Sequence, residues 1–351
     1  MQDAIDILVP TGNDVIIDIH IESAHKPTNG IHITQKDCGQ FKITSDDAVV
    51  MVADSWPDDD CVVWAENGSR PPALMSRWNM NDLGNNGYYM ENGCYGGFVG
   101  ENMGVDWVGG RGTAVGGTTG AGLFLNGACQ CSAYKSIFNY AAKRNYWIAH
   151  ESICFADRGN GDYSRGDVGA YVARGSTFGI SYGSVKFCQG NNLRGRRSYT
   201  VAMAGDFHGA GQGGIGGYSA ICVEGATMVL SQGGGETIAG SDLSGSLQGA
   251  VIVQEGSNMV AAYSDLSGPQ NSANVNDATL TCTRSNLSGA VRGIQAINAT
   301  VWAEDAVFDG VMANITAATW LSTHGWRGCP YRGRRSGGQA FWPARRYASP
   351  A

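Results

Sequence analysis

Apolar and polar residues alternate in short segments along most of the chain. One such segment lies at residues 15–21, and the alternation recurs at residues 226–230 and 278–282. Alternation over about four to eight residues is typical of a β-strand with one buried face. The pattern therefore predicts many short strands. At residues 132–146, apolar residues fall three to four positions apart instead, and we expect either a short helix or strands there.

A five-residue motif recurs in the second half of the chain. Ser-Asp-Leu-Ser-Gly occupies residues 241–245 and 264–268, Ser-Asn-Leu-Ser-Gly occupies residues 285–289, and a weaker copy, Ala-Val-Phe-Asp-Gly, occupies residues 306–310. The apolar members of the four copies are Leu243, Leu266, Leu287 and Phe308, whose positions differ by 23, 21 and 21. We expect these four side chains to stack in one interior ladder.

A second motif repeats with the same period. Its copies occupy residues 174–178, 224–228, 255–259, 276–280 and 297–301, and the last three follow one another at a constant interval of 21. The intervals between Gly175, Gly225 and Gly256 are 50 and 31, which we interpret as two coils and one coil with inserted loops. So short a repeat buries its apolar face only by stacking on copies of itself. The repeats therefore predict an all-β parallel β-solenoid with coils of about 21 residues.

The repeats divide the chain into three parts. Residues 14–320 form the solenoid with its glycine-rich loops, residues 1–13 are a lead-in, and residues 321–351 are a basic tail with neither helical nor strand periodicity. A leucine-rich repeat is excluded because its LxxLxL core is missing, and a β-propeller is excluded because it requires a period of roughly 40 residues.

The composition agrees with a β-rich globular protein. Glycine accounts for 52 of 351 residues and hydrophobic residues for 43%. This apolar content excludes a disordered chain, and the absence of a Gly-X-Y period excludes collagen. The ten cysteines include no CxxC pair. We therefore expect reduced thiols that pack as small apolar residues, no metal site and no cofactor.

The charge distribution and the absence of targeting signals limit the partners and the location that we expect for this protein. The net charge is −7, and because the six arginines after residue 310 are accompanied by no acid, residues 1–310 carry 18 basic and 31 acidic residues. Nucleic-acid binding depends on clustered Lys and Arg, so we expect no nucleic-acid partner. The first residues do not resemble a signal peptide, and no apolar run reaches about 18 residues. We expect synthesis in a cytoplasm and no membrane span.

Three stretches together resemble a known group of proteins. They are the Asp-Leu-Ser-Gly repeats, the segment Gly-Asn-Asp-Val-Ile-Ile-Asp-Ile-His-Ile at residues 12–21, and the coil at residues 169–178. Over most of residues 10–310 they are similar to the right-handed, single-stranded parallel β-helix of bacteriophage tailspikes and tail fibres. The resemblance implies a virion tail protein that assembles as a homotrimer and binds host surface polysaccharide, which some members also cleave.

Three functions follow as alternatives. The first is a tailspike or tail-fibre adhesin that binds host polysaccharide without cutting it. The second is a polysaccharide depolymerase, either a glycoside hydrolase or a lyase, on the same scaffold. The third is a non-catalytic surface solenoid with a structural role.

The repeats place two glutamates in equivalent positions of successive coils. Glu224 and Glu255 open copies of the second motif, which puts them about one strand spacing apart. Two carboxylates that close are suited to glycosidic bond cleavage, because mutual repulsion raises the pKa of one of them. Arg174 occupies the equivalent position upstream, where we expect it to hold an acidic sugar. Exposed side chains at a solvated corner are the structural alternative.

Three aspartates are further catalytic candidates. Asp157 and Asp162 belong to an acid- and arginine-rich segment at residues 157–167, which does not match an EF-hand because its third position is glycine. Asp206 stands two residues before His208 and a glycine-rich run, which places an acid beside a possible base. The structural alternatives are a polar loop and a solvated histidine.

Aromatic side chains are the expected sugar-binding residues, since a flat ring packs against the apolar face of a pyranose. Tryptophans are frequent in the irregular N-terminal half of the chain. The candidates are Trp64, Trp78, Tyr88, Tyr89, Trp107 and Trp147. Each tryptophan taken alone is more typical of the core, but as a group these residues favour a carbohydrate-binding surface within residues 55–165.

Overall fold

The computed structural model describes residues 1–7, 16–109, 120–214, 216–231, 240–288, 292–307, 315–316 and 319–321. These residues form a parallel β-solenoid, as the repeats predict, in which each strand pairs with the equivalent strand of the preceding and following coils. The one helix among them, Gln2–Ile7, precedes the first strand. None of the described residues belongs to a helix long and apolar enough to cross a membrane.

Most coils contribute one strand to each of two long sheets. In the described residues, the larger sheet has twelve strands: Ile31–Thr34, Val63–Glu66, Asn86–Glu91, Ala121–Asn126, Arg144–Ala149, Val168–Ala173, Asn191–Arg196, Tyr218–Val223, Gly249–Gln254, Asn271–Asn276, Arg292–Ile297 and Ile315–Thr316. The second has ten: Gly97–Phe98, Gln130–Ser132, Ile153–Phe155, Thr177–Gly179, Tyr199–Val201, Thr227–Val229, Asn258–Val260, Thr279–Thr281, Thr300–Trp302 and Thr319–Leu321.

The third face of the solenoid is built from shorter elements. Two three-stranded sheets cover the N-terminal coils: Ile17–Ile21, Phe41–Ser45 and Ala73–Leu74, and Val50–Met51, Arg77–Asn79 and Gly104–Asp106. From Gly104 onward this face continues as a row of single parallel bridges, one per coil: Gly104, Ile137, Asn160, Ser184, Asp206, Asp242, Asp265, Asn286 and Val307. We call these nine residues the bridge row.

Strand register confirms the assignment of coils. The strand Tyr199–Val201 pairs with Thr177–Gly179 on one side and with Thr227–Val229 on the other. The interval between Gly175 and Gly225 therefore contains two coils, as predicted. The glycine marker is missing from the intermediate coil, which is why the sequence shows only the doubled interval.

The predicted interior ladder is present. Leu243, Leu266 and Leu287 have no exposed surface, and they follow successive members of the bridge row. Phe207 occupies the same position one coil earlier, where its N–H donates to the carbonyl of Asp242 at 2.7 Å. Burying one such side chain contributes about 1.5–3 kcal/mol. Phe308, the fourth predicted member, lies outside the described residues.

The helix considered at residues 132–146 does not form. This segment contains the end of one strand, a bridge at Ile137 and the start of the strand Arg144–Ala149. Phe138 and Ala141 are both fully buried. Their spacing of three positions arises because the chain turns a corner between them, and both sides of the corner point inward.

Non-glycine residues in the left-handed conformation mark the corners of the coils. One column contains Arg174, Glu224 and Glu255, with φ of 56°, 56° and 58°. Two further columns include Tyr182 and Tyr163, with φ of 57° and 58°. This conformation costs a non-glycine residue on the order of 1 kcal/mol. It persists because backbone hydrogen bonds to the neighbouring coils fix the corner, and it directs the side chain outward.

The cysteines of the described part of the chain are buried and free, in agreement with the expected reduced thiols. Cys131 and Cys154 are partners in adjacent strands and face the interior together. Burial raises the pKa of Cys131 to about 12. Such thiols are protonated at neutral pH and pack as apolar side chains.

Candidate functional site

A cluster of charged side chains lies on the third face, around the bridge-row residue Asp206. Its carboxylate accepts a hydrogen bond from Lys186 Nζ at 2.6 Å and lies in close contact with His208 Nδ1. Asp242 follows in the next coil, with Oδ2 3.8 Å from the same imidazole nitrogen. The nearest oxygen and nitrogen atoms of Asp206, His208 and Asp242 all lie within 4.8 Å of one another. We call these three residues and Lys186 the acid–histidine cluster.

Local sequence explains how the cluster forms. Residues 205–208, Gly-Asp-Phe-His, are the preceding copy of the Ser-Asp-Leu-Ser motif at 241–244, with histidine in place of the last serine. A buried asparagine then fixes the backbone: Asn192 Nδ2 donates to the carbonyls of Phe207 at 2.6 Å and His208 at 2.9 Å. His208 therefore leaves the solenoid at a defined position.

The electrostatics of the two nearest aspartates differ. Burial acts to raise the pKa of Asp206, but hydrogen bonds from Lys186 and His208 outweigh it, and the pKa is lowered. Asp162 is only 3% exposed, and burial raises its pKa to about 6 although Lys186 N–H and the Ser184 hydroxyl both donate to it. Asp206 is therefore ionised at neutral pH, whereas Asp162 titrates at a pH close to neutrality.

A shallow depression opens beside the cluster. The ring of Tyr182 is 44% exposed there, and the guanidinium of Arg158 lies 6.0 Å from its centroid. The side chains that line the depression are Arg158, Asn160, Tyr182, Ser184, Asp206 and Asp242. An accessible aromatic ring thus borders carboxylate, amide, hydroxyl and guanidinium groups, a combination suited to a sugar ring and its hydroxyls.

A column of stacked aromatic rings leads along one corner to the cluster. The centroid distances are 4.3 Å from Trp107 to Tyr140, 5.2 Å from Tyr140 to Tyr163 and 5.5 Å from Tyr163 to Phe187. Phe187 meets His208 edge-on at 4.5 Å. Their stacked faces cover one another, so ring edges and phenol groups face outward. The predicted residue Trp107 thus stands at the start of this corner column.

A second column lies on the outer surface of the twelve-stranded sheet. Trp64, Tyr89, Phe124 and Trp147 are paired residues of successive strands, with centroid distances of 5.8, 4.9 and 4.2 Å. Glu91 accepts hydrogen bonds from both Trp64 Nε1 and the Tyr89 hydroxyl. Three of the predicted aromatic residues are therefore brought together in this sheet column. Phe124 was not predicted, because residues 120–126 carry no motif of either repeat.

Trp78 and Tyr88 are core residues. Neither has any exposed surface, and the Tyr88 hydroxyl donates to the Pro72 carbonyl at 2.9 Å inside the solenoid. Both occupy inward positions of their strands, one residue away from an outward neighbour. The sequence favoured them as sugar ligands, but their burial excludes contact with a glycan on the surface.

The structure places Glu224 and Glu255 on adjacent coils, as the repeats predict. The N–H of Gly225 donates to the Glu255 carbonyl at 2.9 Å. The electrostatics differ from expectation, because Arg196 lies 2.6 Å from the Glu224 carboxylate and its hydrogen bond lowers the pKa of Glu224. Arg174 points to His150 in the preceding coil rather than toward either glutamate. Catalysis by this pair stays a prediction.

The three acids of residues 157–167 do not share one site. Asp157 Oδ1 accepts the N–H of Ser181 at 2.7 Å, and Asp162 is buried beneath the acid–histidine cluster. Asp167 is exposed on the twelve-stranded sheet side, 3.5 Å from Arg144 Nη2. The chain turns a corner between these acids, so their closeness in sequence does not bring the side chains together.

Asp206, His208 and Asp242 are the described side chains whose oxygen and nitrogen donors could hold a divalent cation. In the structure, the ammonium of Lys186 already compensates Asp206. The expectation that the protein uses no metal stays a prediction.

No protein-family model and no curated protein sequence matches this chain. Solved structures do. The A-module of a mannuronan C-5 epimerase from Azotobacter vinelandii matches with a TM-score of 0.41 and 9% identity, over 90% of this chain and 89% of that one. The enzymatically active domain of tailspike protein 2 of bacteriophage CBA120 matches with a TM-score of 0.32 and 13% identity, over 86% of this chain and 42% of that one. This chain thus spans less than half of that tailspike domain.

Proposed function

We propose that this protein is a polysaccharide-binding β-solenoid of the tailspike type, an adhesin that binds host surface glycan in the depression beside the acid–histidine cluster. One observation carries the proposal: the exposed ring of Tyr182 borders the carboxylates of Asp206 and Asp242 and the guanidinium of Arg158. The ring offers an apolar surface to a pyranose, and the charged groups reach its hydroxyls.

This function is tested by measuring the binding of the protein to a panel of bacterial capsular polysaccharides and lipopolysaccharide O-chains. Tyr182→Ala should weaken binding about tenfold, because it removes the apolar surface of the site. Tyr199→Ala is a matched control, since Tyr199 is 45% exposed but lies on the ten-stranded sheet. If wild type and Tyr182→Ala bind with equal affinity, the glycan does not bind at Tyr182. Binding to no member of the panel would favour the non-catalytic structural solenoid instead.

Cleavage of the bound glycan is a second candidate function. It is favoured by the spacing of Asp206 and Asp242, whose nearest oxygens lie within 4.8 Å, since retaining glycosidases place two carboxyl groups about 5 Å apart. His208 lies between them as a possible proton acceptor. Reducing-sugar release identifies a hydrolase, and ultraviolet absorbance of unsaturated uronic acids identifies a lyase. If neither signal is detected on any glycan that binds, cleavage is excluded and the adhesin function is retained.

Assembly as a homotrimer on a virion tail belongs to the same proposal. An isolated solenoid exposes sheet edges at both ends, and symmetric association is a common way to protect them. Light scattering should give about three times the chain mass of 36.9 kDa. A stable monomer at micromolar concentration would remove the trimer from the proposal and leave glycan binding to be judged separately.

A further inference from the structure

A guanidinium group is inserted into the sheet column. Trp147 and Tyr171 are partners in adjacent strands, and Arg144 places its guanidinium carbon 4.0 Å from the Trp147 centroid and 4.3 Å from the Tyr171 centroid. The residue is only 9% exposed. Two rings thus lie within cation–π distance of the guanidinium, whose hydrogen-bond donors point along its edges.

These edges are poorly satisfied. Arg144 Nε and Nη1 have no hydrogen-bond partner, and Nη2 has only Asp167 Oδ2 at 3.5 Å, which is a long contact for a charged pair. Burial lowers the pKa of Arg144, and the interaction with Asp167 offsets this effect only in part. A buried donor without a protein partner is costly, and such groups in native proteins are usually satisfied by ordered water or an ion, or have a functional role.

The surroundings of Arg144 are cationic. Arg194 extends the column, 5.9 Å from the Tyr171 centroid, and its Nε also has no partner. Lys143 lies 5.4 Å from the Trp147 centroid. Asp167 contacts Arg144 at 3.5 Å, and Glu224, which is paired with Arg196, also interacts electrostatically with Arg194. A positive spot therefore interrupts the surface of a chain whose net charge is −7.

We propose that Arg144 binds the anionic substituent of an acidic sugar, a carboxylate in the first instance, which displaces Asp167. A guanidinium offers a carboxylate two edges that each carry a pair of donors: Nε with Nη2, and Nη1 with Nη2. A carboxylate on either edge of Arg144 therefore binds Nη2 together with a donor that has no partner. Neither Nε nor Nη1 is exposed, so the ligand takes the place of Asp167, a side chain more than half exposed that contacts only Nη2, and reaches the unpaired donor from there. This inference rests on the proposed glycan binding and makes the glycan an acidic one.

The test is a titration of the full chain followed by 15N NMR of arginine side chains. Sodium glucuronate is the anionic probe and methyl glucoside the neutral one. Glucuronate should shift the Arg144 Nε resonance, and Asp167→Asn should strengthen this response about fivefold or more, because the competing carboxylate is gone. Methyl glucoside should leave the resonance in place. Arg144→Gln should abolish binding at this position, and Asp167→Asn keeps the test informative should that variant not fold.

A matched pair elsewhere on the solenoid supplies the control. Arg284 lies 5.5 Å from the Tyr263 centroid and 3.6 Å from Asp305, but its side chain is 57% exposed. Asp305→Asn should not change the response of Arg144. If glucuronate leaves the Arg144 resonance unmoved even in Asp167→Asn, or if methyl glucoside moves it equally, the anion site is overturned.

The polysaccharide panel separates this proposal from the proposed function. Binding of neutral glycans alone would overturn the acidic-sugar inference and leave the adhesin intact. Binding of acidic glycans that Arg144→Gln weakens supports both. Failure of every glycan, with a glucuronate response at Arg144, would overturn the adhesin while retaining an anion site.

Discussion

Asp162 and Asp206 bind the two ends of one lysine. Asp162 Oδ1 accepts the backbone N–H of Lys186 at 3.0 Å, and Asp206 Oδ2 accepts the ammonium of the same residue at 2.6 Å. One carboxyl group is buried with a pKa of about 6, while the other, paired with the ammonium and His208, has a lowered pKa. Two acids on the coils that flank the coil of Lys186 therefore ionise in different pH ranges.

This difference predicts a pH dependence of stability. The pKa of Asp162 is about 6 in the folded state and near 3.8 when unfolded, so the folded state binds more protons between these values. Its contribution to the free energy of unfolding therefore falls as the pH rises from 4 to 7, by on the order of 2 kcal/mol. Asp162→Asn, which keeps an acceptor for Lys186 N–H, should lose this dependence. Urea unfolding of both proteins at several pH values measures it, and a constant difference between them would contradict the burial argument.

The interior ladder predicts the effect of a core truncation. Leu266→Ala removes a fully buried side chain between Leu243 and Leu287, and the stacked coils cannot close the cavity. We expect the free energy of unfolding to fall by about 3 kcal/mol. Leu247→Ala is the control, because Leu247 is 42% exposed and should change it by less than about 0.5 kcal/mol. Equal effects of the two variants would argue against the ladder.

Asn192 is expected to position the acid–histidine cluster. Asn192→Ala removes the side-chain donor of the buried Phe207 carbonyl and one of two donors of the His208 carbonyl, which keeps the N–H of Phe187 at 3.2 Å, at a cost of about 1–3 kcal/mol. Glycan affinity should also fall, because residue 208 is no longer held. Asn274→Ala, on the outward side of the same sheet, should change neither quantity. A loss of stability with unchanged affinity would make Asn192 purely structural.

Four variants locate any cleavage activity. We expect Asp206→Asn to lower the rate of cleavage by about a hundredfold or more, because it changes an ionised group in the depression. Glu224 is held by Arg196 with a lowered pKa, which is unfavourable for a general acid, so Glu224→Gln and Glu255→Gln should retain activity. Asp242→Asn tests the second carboxylate. Loss of activity in both glutamine variants, with melting temperature unchanged, would instead establish the predicted glutamate pair.

The fold was accessible from the sequence because the repeat period is a direct consequence of coil stacking. Leu243, Leu266 and Leu287 had to share one position once their spacing was known. The site was harder to predict, since Lys186 and Asp242 are brought to Asp206 from coils whose lengths differ through inserted loops. A signal existed in the match between residues 205–208 and 241–244, which places Asp206 and Asp242 in one row. Nothing in the local sequence indicated Lys186, Tyr182 or the partners of Arg144.

The left-handed corners make the surface side chains of the solenoid independent of the interior that stabilises it. A residue such as Tyr182 or Glu255 is bonded to its neighbours through its backbone, so the side chain it presents is free to vary without disturbing the ladders inside. Each coil thus carries an exchangeable chemical group at a fixed height along the axis. Natural selection or protein design can therefore change the recognition surface one coil at a time. The interior does not need to be redesigned for such changes.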